Sequence, residues 1–164
     1  MSTQIGYIDS DGHPRLTIRI SGPDPTNFIE EDALIDTGFT GFLMLPQAKV
    51  FALGIVPSST GDHILADDSV VTNFLGSATV TIRPPSVVPV DSNPAYQAPF
   101  EPETIDGVVV MCGKGALVGM ELLRALDKFL LVGPFVVLLD VTAVAAASGT
   151  GSPPALPATA SGKS

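Results

Sequence analysis

The sequence predicts an all-β domain carrying one or two short helices, and two features predict it. Of 164 residues, 45% are hydrophobic, yet 16 are Gly and 15 are Pro, a mixture that suits short strands joined by turns rather than long helices. In several stretches the apolar residues recur at every second position, the period of a half-buried strand. The length is one domain's worth, enough to enclose a hydrophobic core. Residues 1–142 read as that domain. Residues 143–164, dominated by Ala, Gly, Ser, Pro and Thr, read as a disordered tail.

Taken in order, residues 3–8 and 14–20 read as strands around a turn, since Asp11-Gly12 is a hairpin signal. In the second of them Leu16, Ile18 and Ile20 alternate with Arg15, Thr17 and Arg19. Pro23 and Pro25 break the pattern, and residues 28–35 resume it with Glu30, Glu31 and Asp32 at a solvated start. Pro46 and Gln47 open a short helix that Gly54 closes, with Val50, Phe51 and Leu53 facing inward. Residues 61–82 read as a hairpin with its tip near Asp67 and Asp68. Residues 83–104 contain Pro84, Pro85, Pro89, Pro94, Pro99 and Pro102, too many for a central strand, and read as a loop. Residues 105–111 form a strand, 121–125 a helix packed by Leu122 and Leu123, and 129–139 a hairpin around Gly133-Pro134. Pro134 and Asp140 cut that apolar run below the ~20 residues of a membrane span.

Composition narrows the function classes. A formal charge of −9 argues against nucleic acid and anionic membranes as partners, because both demand a basic face. Cys112 is the only cysteine, and His13 and His63 lie far apart, so neither a disulfide nor a metal site is expected, and no cofactor. The first residues carry neither a basic start nor an apolar run, which together with the single cysteine predicts a reducing cytoplasm rather than secretion.

The chemistry-bearing stretch is Ala33-Leu34-Ile35-Asp36-Thr37-Gly38-Phe39-Thr40-Gly41-Phe42-Leu43, an apolar strand that delivers a carboxylate into a glycine-flanked turn and resumes as a second strand. A carboxylate desolvated between Ile35 and Phe39 would cost several kcal/mol unless paired, so Asp36 is expected to face a cavity or a partner. Gly38 and Gly41 allow a tight turn with inward amides, and Thr37 and Thr40 add hydroxyls. A β-turn whose Asp and Gly are there for conformation alone is the other reading. Later, Ala116-Leu117-Val118-Gly119-Met120-Glu121-Leu122-Leu123 is an apolar strand ending in Gly before a helix.

Together these two stretches resemble the retropepsin-like aspartic proteases, most of all the predicted bacterial members of that family. The resemblance implies a closed β-barrel with a flap hairpin over the substrate. It also implies a homodimer in which Asp36 from each protomer activates a water against a peptide bond. Thr37 would brace the paired loops, Gly38 would admit substrate backbone, and Gly119 would pack beneath the loop. Thr40 and the hairpin tip, Ala66, Asp67, Asp68 and Ser69, would contact substrate. Two departures stand out: the usual bacterial flap tip has Gly where this chain has Asp68, and the retroviral ion pair falls on Thr40 and Met120, so both partners are absent together. Dimer contacts are then expected from the apolar terminal strands, 5–8 and 135–139, as open edges. A retropepsin-like dimer that binds peptide without cleaving it is the alternative.

Overall fold

The alternation at Leu16, Ile18 and Ile20 buries all three completely and builds β3 (Pro14–Ser21), one wall of a β-barrel. The structure, a computed structural model, describes residues 2–3, 6–64, 68–83, 102–126, 128–132 and 136–140. Before β3 come β1 (Ser2–Thr3) and β2 (Gly6–Ile8); after it come β4 (Phe28–Ile35), β5 (Leu43–Pro46) and helix α1 (Gln47–Ala52). The hairpin strands are β6 (Ser59–Ile64) and β7 (Val70–Ile82), followed by β8 (Thr104–Gly113), β9 (Leu117–Val118), helix α2 (Met120–Ala125), β10 (Lys128–Val132) and β11 (Val136–Asp140).

The described residues are mostly β with two short helices. An eight-stranded sheet runs β2-β3-β4-β9-β5-β8-β7-β6, and a further pairing of β3 with β7 closes six of these strands into a barrel. The barrel interior is one apolar cluster: Ile20, Leu43, Leu45, Val80, Val110 and Val118 are fully buried within it. The two helices plug it, α1 through Val50 and α2 through Leu122 and Leu123. No helix of the described residues is long and apolar enough to cross a membrane.

Several expectations change in detail. Phe51 does not face inward: it is 53% exposed. In a helix of six residues, Val50 and the following Leu53 share the buried side, and Phe51 is turned about 100° away from Val50. Gly54 does follow the helix in the left-handed region, at φ +68°, with its amide donating to the Phe51 carbonyl. The acidic start of β4 is paired rather than merely solvated. Glu30 takes Arg19 at 2.8 Å, Asp32 accepts from Thr17 at 2.6 Å, and Glu31 meets Lys49 of α1. The expected edge at 135–139 is covered in part. β11 is the middle strand of a three-stranded sheet, β1-β11-β10, in which β10 pairs its whole length and β1 pairs Leu138 and Leu139. The Pro-rich stretch 84–101, Ile5 and Phe135, and the expected tail, 143–164, lie outside the described residues.

The first turn shows why the N-terminal hairpin holds its shape. The Asp9 carboxylate accepts from the amides of His13 and Asp11 and from the Arg15 guanidinium. The His13 amide, then the Arg15 side chain, then the Asp11 amide hold its pKa below the ordinary 3.8, at about 2. A depressed carboxyl pKa contributes stability above the unfolded value and loses it on acidification. Acid titration of stability should therefore show a component lost between pH 3.8 and about 2 that Asp9→Asn removes. Leu43→Ala, which empties a fully buried position on β5, should cost about 2–5 kcal/mol in chemical denaturation.

Candidate active site

Asp36 follows directly on β4, and its geometry is set by a strand that arrives from far along the chain. β9 inserts between the two strands flanking the Asp36 loop, parallel to β4 (Leu34 with Leu117, Ile35 with Val118) and antiparallel to β5 (Leu43 with Val118). The Asp36 amide donates to the Val118 carbonyl at 2.9 Å, so the β4–β9 ladder continues into the loop. Alternation along that ladder places the Asp36 side chain on the same face as Leu34, opposite the buried Ile35.

The loop closes on itself and on the start of α2. The Phe39 amide donates to the Asp36 carbonyl at 3.1 Å, and the Gly38 amide donates to the Asp36 carboxylate at 2.9 Å. Of the inward amides expected from the two glycines, that of Gly38 serves Asp36 itself, fixing one carboxylate oxygen and leaving the other to be used. From below, the amides of Gly119, Met120 and Glu121 donate to the carbonyls of Phe42, Phe39 and Gly41. Gly119 is required by clearance, because a Cβ there would lie 2.1 Å from the Gly41 carbonyl oxygen and 2.6 Å from that of Phe39. At Gly41 an added Cβ would meet only the Phe39 ring, at 2.6 Å.

Asp36 is half-buried, whereas Thr37, Gly38 and Thr40 are exposed on the loop. Among the described residues no Lys, Arg or His forms an ion pair with Asp36, although Asp9, Glu30, Glu31 and Glu121 each have such a partner. The structure thus brings together Asp36, Thr37, Gly38, Thr40 and Gly119. Asp68 and Ser69 are exposed at the foot of β7 in the β6–β7 hairpin, and Ala66 and Asp67 lie outside the described residues. Asp68 adopts the left-handed conformation, φ 62°, which Gly would take freely and Asp takes more readily than most residues.

A row of apolar side chains beside Asp36 is not apparent from sequence. Direct cross-strand partners share a sheet face, and the register pairs Leu34 with Leu117, Leu117 with Met44, Met44 with Met111, and Met111 with Leu75. These five face away from the barrel core, and all but Met111 are half-exposed. The spacing of Leu34 and Asp36 is the only signal in the sequence that touches this row. The carboxylate therefore stands at the end of an apolar floor crossing β4, β9, β5, β8 and β7.

Another group of potential ligands, Asp9, Asp11 and His13, has ligand atoms within 4.8 Å of one another. The Asp9 oxygens are already committed to the turn amides and Arg15, which explains the cluster as turn chemistry. No protein-family model and no curated protein matches the chain.

The clearance argument is directly testable. Gly119→Ala sets a methyl against two backbone carbonyls and should cost about 1–3 kcal/mol or more, by denaturant titration. Gly41→Ala, which meets only a side chain, should cost measurably less.

Proposed function

We propose that the chain is a retropepsin-like aspartic endopeptidase, working as a homodimer in which the Asp36 carboxylates of two protomers share a proton and activate a water against a peptide carbonyl. The observation that carries the reading is the Asp36 turn. Its carboxylate has no ion-pair partner among the described residues, is fixed through one oxygen by the Gly38 amide, and is held by an inserted strand and the Gly119 contact. Peptide hydrolysis needs one group to take a proton from water and another to give one to the carbonyl, and two adjacent carboxyls sharing a proton meet both needs. The described turn supplies one carboxylate per chain, so the second comes from a second copy.

The rest of the site supports an extended peptide as substrate. The row Leu34, Leu117, Met44, Met111 and Leu75 offers an apolar floor, and the β6–β7 hairpin would lie across the chain bound on it. Thr37, beside the carboxylate and exposed, would bond across the dimer axis; Thr40 and the hairpin residues Asp68 and Ser69, also exposed, would contact substrate. A dimer formed by terminal strands would use the edges that no described strand pairs, that of β2 in the expected stretch 5–8 and those of β1 and β10, rather than β11. A reducing cytoplasm suits the single, buried Cys112.

Digestion of a peptide library from acidic to neutral pH should give a bell-shaped rate profile. Asp36→Asn should lower the rate by about 10²-fold or more without changing the circular dichroism spectrum. Cleavage that survives Asp36→Asn contradicts the proposal. Peptide binding without cleavage by the unaltered protein would favour a non-hydrolytic module.

A further inference from the structure

The side of the hairpin toward α1 carries a second apolar surface that the Asp36 chemistry does not use. Phe51 of α1 and Phe74 of β7 are each 53% exposed, and both line an open groove of about 520 Å³. Pro57, Ser58, Ser59 and Thr60 complete its lining. Burying an aromatic ring is among the largest single gains in a fold, so two half-exposed rings on one groove form a surface suited to a partner. None of the lining residues is charged, in a chain of net charge −9, so the groove selects a neutral, apolar occupant.

The strand beside the groove indicates the form of that occupant. β6 ends the eight-stranded order, pairing with β7 on one side and with no described strand on the other. An open strand edge presents backbone donors and acceptors that another extended chain satisfies. Ser59 and Thr60 belong both to this edge and to the groove lining, so edge pairing and side-chain insertion occur at the same place. We infer that the groove is a peptide exosite, in which an extended polypeptide adds as a strand to β6 and seats an aromatic side chain between Phe51 and Phe74. Main-chain pairing supplies affinity and the ring slot supplies selectivity. The site is distinct from the floor beside Asp36, and the inference does not depend on hydrolysis.

The test uses the Asp36→Asn full chain, which removes any cleavage, and the probe acetyl-Gln-Thr-Val-Phe-Val-Thr-Gln-amide. Calorimetry should give binding, and amide shift mapping should place it at Ser58 to Thr60 and Phe74. Phe51→Ser and Phe74→Ser should each weaken binding about tenfold or more, as should replacing the probe's Phe by Ala. Phe28→Ser, at an exposed ring outside the groove, should leave it unchanged. A probe with N-methylated backbone amides should fail to bind. Shifts confined to Asp36, Thr37 and Leu117 would overturn the inference, as would binding unaltered by Phe51→Ser or the absence of binding. Self-association of the chain through β6, abolished by Phe51→Ser, would equally overturn it by assigning the groove to a second copy.

Discussion

Leu117 and Val118 join the sheet between two strands that lie more than seventy residues earlier in the chain, and the Asp36 loop owes its shape to that insertion. Without β9, β4 and β5 would have no common neighbour, and the loop between them would be free to vary. With it, the Asp36 amide is fixed to the Val118 carbonyl, and three successive amides at the start of α2 hold three loop carbonyls. Each bond contributes only about 1 kcal/mol net, but together they tie the half-buried part of the loop, Phe39, Gly41 and Phe42, to its support. Gly119 is the point at which this works, because any side chain there would push the loop off the strand that positions it.

The distribution of charge gives the same site its chemical character. Elsewhere on the barrel, Asp9 is paired with Arg15, Glu30 with Arg19 and Arg83, and Glu31 with Lys49, while Asp24, Asp32, Asp62 and Asp106 each accept from a threonine hydroxyl. Arg19 also lies over the Phe28 ring at 4.0 Å. Asp36 has instead a single backbone amide and, on its own face, an apolar row. A structural carboxylate gains from a cation, whereas one that must pass a proton to and from water is better without it. The proposed chemistry follows from that contrast, and the exosite proposed on the other side of the hairpin uses a different property, an open backbone edge beside uncharged rings.

Much of the barrel was legible in local pattern. Period-two alternation marks β3, Asp11-Gly12 marks the first turn, Pro46 and Gly54 bracket α1, and Asp36-Thr37-Gly38 with Leu117-Val118-Gly119 marks the loop and its support. What stayed hidden depends on partners distant in sequence. The orientation of Phe51 requires knowing which side of a short helix meets the barrel. The pairing of Glu31 requires knowing that Lys49 reaches it. That β11 is a middle strand, and that Leu34, Leu117, Met44, Met111 and Leu75 form one row, follows from register alone. The role of the Gly38 amide, turned to Asp36 rather than outward, is likewise a matter of three-dimensional geometry.

The central claim is that one working site needs two chains, each supplying Asp36. Subunit mixing tests it most directly: unaltered and Asp36→Asn chains are combined at fixed total concentration, allowed to exchange, and assayed on a peptide that the unaltered protein cleaves. If both carboxylates are required in a freely exchanging dimer, an equal mixture retains about a quarter of the activity, because only that share of the dimers carries two aspartates. Activity that falls in simple proportion to the unaltered chain, to about half in the equal mixture, would mean that one carboxylate suffices and would contradict the account.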